Sequence, residues 1–112
     1  MLTRKNFNKY VNEFISDIKR NGLRPSRLIL FGSYAKGTVH STSDIDLAMW
    51  ADSFTGSNLE DSLIFQSTLS RFPLIQIHCY KTGQSENDDP FLEDITKTGK
   101  ELSLEIVDVS FD

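Results

Sequence analysis

Apolar residues recur at intervals of three and four near the start of the chain, where Phe7, Tyr10, Val11, Phe14, Ile15 and Ile18 are separated by Lys, Asn, Glu and Asp. This period predicts an amphipathic helix with one buried stripe. Thr3 suits its N-cap, and Gly22 followed shortly by Pro25 predicts its end. The period then shortens. Arg27 to Phe31, RLILF, is an apolar run closed by Gly32-Ser33, as expected of a buried strand entering a turn, and Tyr34 to Gly37 follows as a short helical turn. Asp44 to Ala51, DIDLAMWA, alternates as a strand does. It sets Ile45, Leu47 and Met49 on one face and Asp44, Asp46 and Ala48 on the other.

Phe54 to Ser57 reads as a loop, and Asn58 to Arg71 as a second helix with the stripe Leu59, Leu63, Phe65 and Leu69. Leu74 to Tyr80, LIQIHCY, predicts a third strand with Gln76 and His78 on one face and Ile75 and Ile77 on the other. The polar run Thr82 to Asp89 is a loop. Pro90 fits a first helical turn, Phe91, Leu92 and Ile95 follow at helical spacing, and Gly99 ends that helix. Leu102 to Val109 alternates again and predicts a final strand. The order is helix, two strands around a Gly-Ser turn, helix, strand, helix, strand, which predicts an α/β or α+β layer structure.

A chain of 112 residues has material for one core, so residues 1–112 are expected to form a single small domain. The net charge of -4 argues against an extended nucleic-acid surface but leaves room for a small anion, which a local nest of backbone N–H groups can hold. Cys79 is the sole cysteine, so no intrachain disulfide forms. The start MLTRKNFNKY lacks a signal-peptide core, and no run approaches the roughly 20 apolar residues that cross a bilayer. A cytoplasmic protein that does not enter membranes is expected.

The chemistry concentrates in FGSYAKG and, after Ser41-Thr42-Ser43, in DIDL. Gly32 lets backbone approach a phosphate closely, Ser33 adds a hydroxyl donor, and the N–H groups of the following turn point at the same anion. Lys36 adds charge at the rim. Asp44 and Asp46, two apart on a strand, leave from one face and can share a divalent cation. Magnesium suits such a site, because it binds one or two carboxylates together with substrate phosphates.

Gly-Ser, ten intervening residues, then Asp-x-Asp resembles the signature of the DNA polymerase beta-like nucleotidyltransferase superfamily, in register at Gly32, Ser33, Asp44 and Asp46. The flanks LILFGSYAKGT and TSDIDLAMW, with FLEDITKTGKEL near the end, are similar to its small minimal nucleotidyltransferase branch. The resemblance implies a mixed sheet flanked by helices. It implies transfer of a nucleoside monophosphate, AMP from ATP, to a hydroxyl acceptor with Mg2+ as cofactor. It also implies an all-helical partner protein of the HEPN class, toward which members of the branch serve as antitoxins. The family places a third Asp or Glu on the next strand, where this chain has Gln76. Three repairs are open: His78 as ligand or base, Glu86, Asp88 or Asp89 folding back, or a group from a partner. The alternative function is a catalytically impaired, nucleotide-binding antitoxin or regulatory subunit.

Single residues also have plainer readings. Lys36 is equally a solvated lysine, His40 a loop residue, His78 a strand histidine with one hydrogen bond, and Cys79 buried filler. Trp50 at the end of a core strand is read as packing rather than base stacking.

Overall fold

The computed structural model describes residues 4–37, 44–55, 57–84 and 90–109. The expected Thr3 cap, the loop residue His40, and Glu86, Asp88 and Asp89 lie outside them. Helix α1 spans Arg4–Arg20. Its stripe is buried as its period predicts: Phe7, Val11, Phe14 and Ile18 have no exposed surface. Gly22 ends it at φ 90, where Leu23 N–H turns back to Ile18 O at 3.0 Å.

Strand β1, Pro25–Phe31, is two residues longer than RLILF, because Pro25 already pairs with Ala51 before the register shifts at Arg27. A short helix α2, Ser33–Lys36, leads towards β2, Ile45–Ala51. Strand β3 is Ile75–Lys81, helix α5 is Phe91–Thr98, and β4 is Lys100–Glu101. The sheet order is β3-β2-β1-β4, with β2 and β3 parallel and the other two pairs antiparallel. The fold is therefore a small α+β domain with a four-stranded mixed sheet.

Helices cover both faces of the sheet. The first apolar cluster packs Phe7, Val11, Phe14 and Ile18 of α1 on Leu28, Leu30, Ile45, Leu47, Met49, Ile75 and Ile77. The second sets Leu92 and Ile95 of α5 on Ile29, Phe31, Ala48, Trp50 and Tyr80. Period-two alternation assigns each strand residue to one cluster or the other, so Asp46, Ala48 and Trp50 share the α5 face. Trp50 packs, as expected: it is 3% exposed, stacked 5.1 Å from Tyr80, with its Nε1–H bonded to Gln84 O at 2.9 Å. Cys79 is buried on the α1 face, and burial pushes its thiol pKa up to about 12, with Asp61 adding to the rise.

Two expected elements differ. The helix over Asn58–Arg71 is broken into α3, Asn58–Ser62, a 3-10 turn at Leu63–Phe65, and α4, Gln66–Arg71. Its buried stripe is Asp61, Phe65 and Thr68, while Leu59 and Leu63 are exposed. Hydrogen bonds let the polar pair go inside. Asp61 accepts from Thr55 N–H at 2.8 Å and Thr55 Oγ1 at 3.0 Å, and Thr68 Oγ1 donates to Asp17 Oδ2 at 2.5 Å. Arg71 pairs with the same oxygen, and these hydrogen bonds, Thr68 first, hold the Asp17 carboxyl below its ordinary range.

The final strand over Leu102–Val109 is not formed, and β4 stops at Glu101. Ser103 Oγ accepts the N–H groups of Glu105 and Ile106, which bends the chain and shifts its alternation by one residue. Leu102, Val107 and Val109 are buried, and Ile106 is exposed. Asparagines of α1 replace a neighbouring strand. Asn12 bonds both Val107 N–H and Val107 O, at 2.7 and 2.9 Å. Asn8 does the same for Val109 at 2.9 and 3.3 Å. Four helical residues rise about 6 Å and two extended residues about 6.6 Å, so an i, i+4 pair of amides matches alternate residues of an extended segment.

Asn12→Ala would leave both backbone groups of the buried Val107 unpaired, at a cost of about 1–3 kcal/mol. A fall in melting temperature of roughly 5–10 °C is expected by thermal circular dichroism. Glu13→Ala, at the exposed neighbour, should move it by less than about 2 °C.

Candidate functional site

Antiparallel pairing sets Phe31, the last residue of β1, opposite Asp46 near the start of β2. The Gly32-Ser33 turn therefore leaves the sheet beside the aspartates. Gly32 has φ 74 and ψ -153, and a Cβ there would lie 2.3 Å from Asp46 Oδ2. Glycine is required twice over, by the positive φ and by the carboxylate that occupies the space. Gly32 O accepts Ala35 N–H at 3.1 Å and Lys36 N–H at 3.0 Å, which starts α2. Gly37 ends it at φ 75 with its N–H on Ser33 O. Tyr34 pins the turn to α1, being 3% exposed with its ring 5.1 Å from Phe7.

Ser33 is half-buried at the head of α2, where the first N–H groups have no partner inside the helix. Lys36 is exposed in the last turn, and no ion pair joins it to another described residue. Asp44 is exposed immediately before β2, and Asp46 is half-buried within it. Burial raises the Asp46 pKa, the neighbouring His78 opposes this, and the Asp44 charge adds to it. No hydrogen bond or ion pair joins the Asp46 carboxylate to another described residue.

Gln76 is directly beside Asp46 in the parallel β2–β3 register and is exposed. His78 lies two residues further along the same face, opposite Ala48 and half-buried. Its ring sits 5.1 Å from Phe31 and 5.8 Å from Phe91. Among the described residues no three His, Cys, Asp or Glu side chains converge as a metal cage, so His78 does not complete a set with Asp44 and Asp46. Two carboxylates two residues apart at one strand end fit one hard divalent cation whose remaining ligands are phosphate oxygens or water. They do not by themselves furnish a second cation site.

The aromatic group Phe31, His78 and Phe91 on this face has no counterpart in the sequence reading. The signal was present in the parity of Phe31, which ends its strand opposite Asp46. The contact from α5 depends on tertiary packing.

A carboxyl that holds its proton more tightly in the folded chain favours folding at low pH and costs stability as pH rises through the raised pKa. Asp46→Asn is therefore expected to raise the melting temperature at pH 7, by up to about 4 °C, without any ligand. The gain should vanish near about pH 3, where the carboxyl is protonated in both states. Paired thermal melts across pH check this, and an equal gain at both ends would contradict it.

Known proteins share this fold. The family described as Polymerase beta, Nucleotidyltransferase matches residues 13–105. A toxin-antitoxin crystal structure with AMP-PNP is similar at 24% identity, over 84% of this chain and 70% of that one, with a TM-score of 0.55. A provisionally assigned nucleotidyltransferase from Sulfolobus solfataricus is similar at 20% identity, over 95% and 88%, with a TM-score of 0.60. A mutant of the toxin-antitoxin MntA-HpeT is similar at 26% identity, over 83% and 71%, with a TM-score of 0.55. No curated protein sequence matches. Since the matched segment takes in the second half of α1, the Gly-Ser turn, the aspartates and the whole sheet, the chain belongs to the polymerase beta nucleotidyltransferase family.

Proposed function

We propose that the chain is a magnesium-dependent nucleotidyltransferase that moves a nucleoside monophosphate, AMP from ATP, to a hydroxyl group of a partner protein in the cytoplasm. The observation that carries this reading is the packing of Gly32 against Asp46, which joins the phosphate turn and the carboxylate pair in one corner. Gly32 and Ser33 bind the triphosphate through backbone N–H groups and the Ser33 hydroxyl. Asp44 and Asp46 hold the cation. Magnesium bound there would draw negative charge from the transferred phosphate and from the departing pyrophosphate. Lys36, exposed and unpaired among the described residues, contributes screened attraction. The acceptor oxygen bonds to the α-phosphorus as the pyrophosphate bond breaks, and the hydroxyl proton must pass to a base. Gln76 cannot take that proton.

The likeness to a toxin-antitoxin structure that contains AMP-PNP supports ATP as donor and a protein as partner. An all-helical HEPN-type toxin suits the antitoxin role of the minimal branch. The exposed Gln76 beside Asp46 favours a second reading, in which the chain binds nucleotide and partner as an antitoxin but turns nothing over.

Incubation of the chain with the co-purified product of a neighbouring gene, magnesium and ATP labelled at the α-phosphate separates the two readings. Label on the partner is expected, with a loss of about 100-fold or more in Asp44→Asn. Gln76→Glu should raise the rate if a missing carboxylate limits it. Calorimetric binding of ATP with magnesium but no label from any nucleotide would reject transfer and leave the second reading.

A further inference from the structure

We propose that Phe91, backed by Phe31 and His78, is the stacking platform for the planar base of the donor nucleotide. The inference rests on the phosphate and metal reading of the Gly32 corner and assigns the other end of the ligand. Phe91 opens α5 and is 46% exposed, although the helix is anchored by Leu92 and Ile95, which have no exposed surface. Its ring is therefore not needed to hold α5 to the sheet. It stands edge-on to Phe31 at 6.0 Å and 84°, and tilted against His78 at 5.8 Å and 40°. The three rings are in mutual contact, which fixes the orientation of Phe91 in a residue that remains 46% exposed.

The location suits a base. Phe31 is the cross-strand partner of Asp46, and such side chains stand about 5 Å apart at Cβ. Phe91 meets the same Phe31 ring at 6.0 Å, so the carboxylate and the platform are both neighbours of Phe31. The first turn of α5 also carries Glu93 and Asp94, both exposed, which disfavours the phosphate end of a ligand there and suits an uncharged ring. Stacking on an aromatic ring is tolerant of base identity, so purines and pyrimidines both bind, with the larger purine surface preferred.

The test compares ATP with inorganic tripolyphosphate, each with magnesium, by calorimetry on the wild-type chain, Phe91→Leu and Phe91→Trp. Leucine fills the position without a ring, and thermal melts confirm that each variant is folded. Phe91→Leu is expected to weaken ATP binding about tenfold and to leave tripolyphosphate within about twofold of wild type, with Phe91→Trp retaining ATP. Unchanged ATP affinity in Phe91→Leu would overturn the platform, as would an equal loss of both ligands. Failure of the wild-type chain to bind tripolyphosphate with magnesium would instead bring down the phosphate and metal reading, and the platform with it.

Discussion

The site depends on one close approach, that of Gly32 to the Asp46 carboxylate. With no Cβ on Gly32, the first turn after β1 can fold against β2, and Asp46 Oδ2 occupies the place a side chain would fill. Antiparallel pairing of Phe31 with Asp46 makes the meeting obligatory, because any slip by one residue would send Asp46 to the opposite face. The buried Tyr34 then holds α2 to α1. A turn built to place backbone N–H groups and a strand built to place carboxylates are thereby one structural unit.

That unit can sit at an edge because the remainder of β2 is covered on both sides. Ile45, Leu47 and Met49 face α1, and Ala48 and Trp50 face α5, so the strand that bears the aspartates is the most enclosed of the sheet. Enclosure restrains the half-buried Asp46 and also raises its proton affinity. Rigidity and electrostatic cost have the same origin.

The parts legible in the sequence were those with one dominant period. The α1 stripe and the alternation of DIDLAMW follow from spacing alone, whereas the place of Gln76 beside Asp46 was implied by the family resemblance and is seen in the β2–β3 register. The apolar stripe of the second helix failed because hydrophobicity does not register Asp61 and Thr68, which are buried by hydrogen bonds to Thr55 and Asp17. The last strand failed because Ser103 turns the chain in mid-pattern, and because its partner is a pair of helix asparagines that no local rule can identify. The meeting of Gly32 and Asp46 was recoverable since each is local to one strand end. The ring cluster of Phe31, His78 and Phe91 was not, since it joins three elements.

Gln76 has a physical consequence beyond the absent base. A carboxylate at that register position would add a second like charge beside Asp46 and raise its proton affinity further. The neutral amide spares Asp46 that repulsion. By the same argument it removes the charge that would draw a second divalent cation, since cation affinity at such sites follows the number of charged oxygen ligands. A glutamine there thus lowers the cost of the neighbouring Asp46 charge and carries less charge for a cation than a carboxylate would, while the Gly32 turn and the Asp44 and Asp46 carboxylates are left as they were.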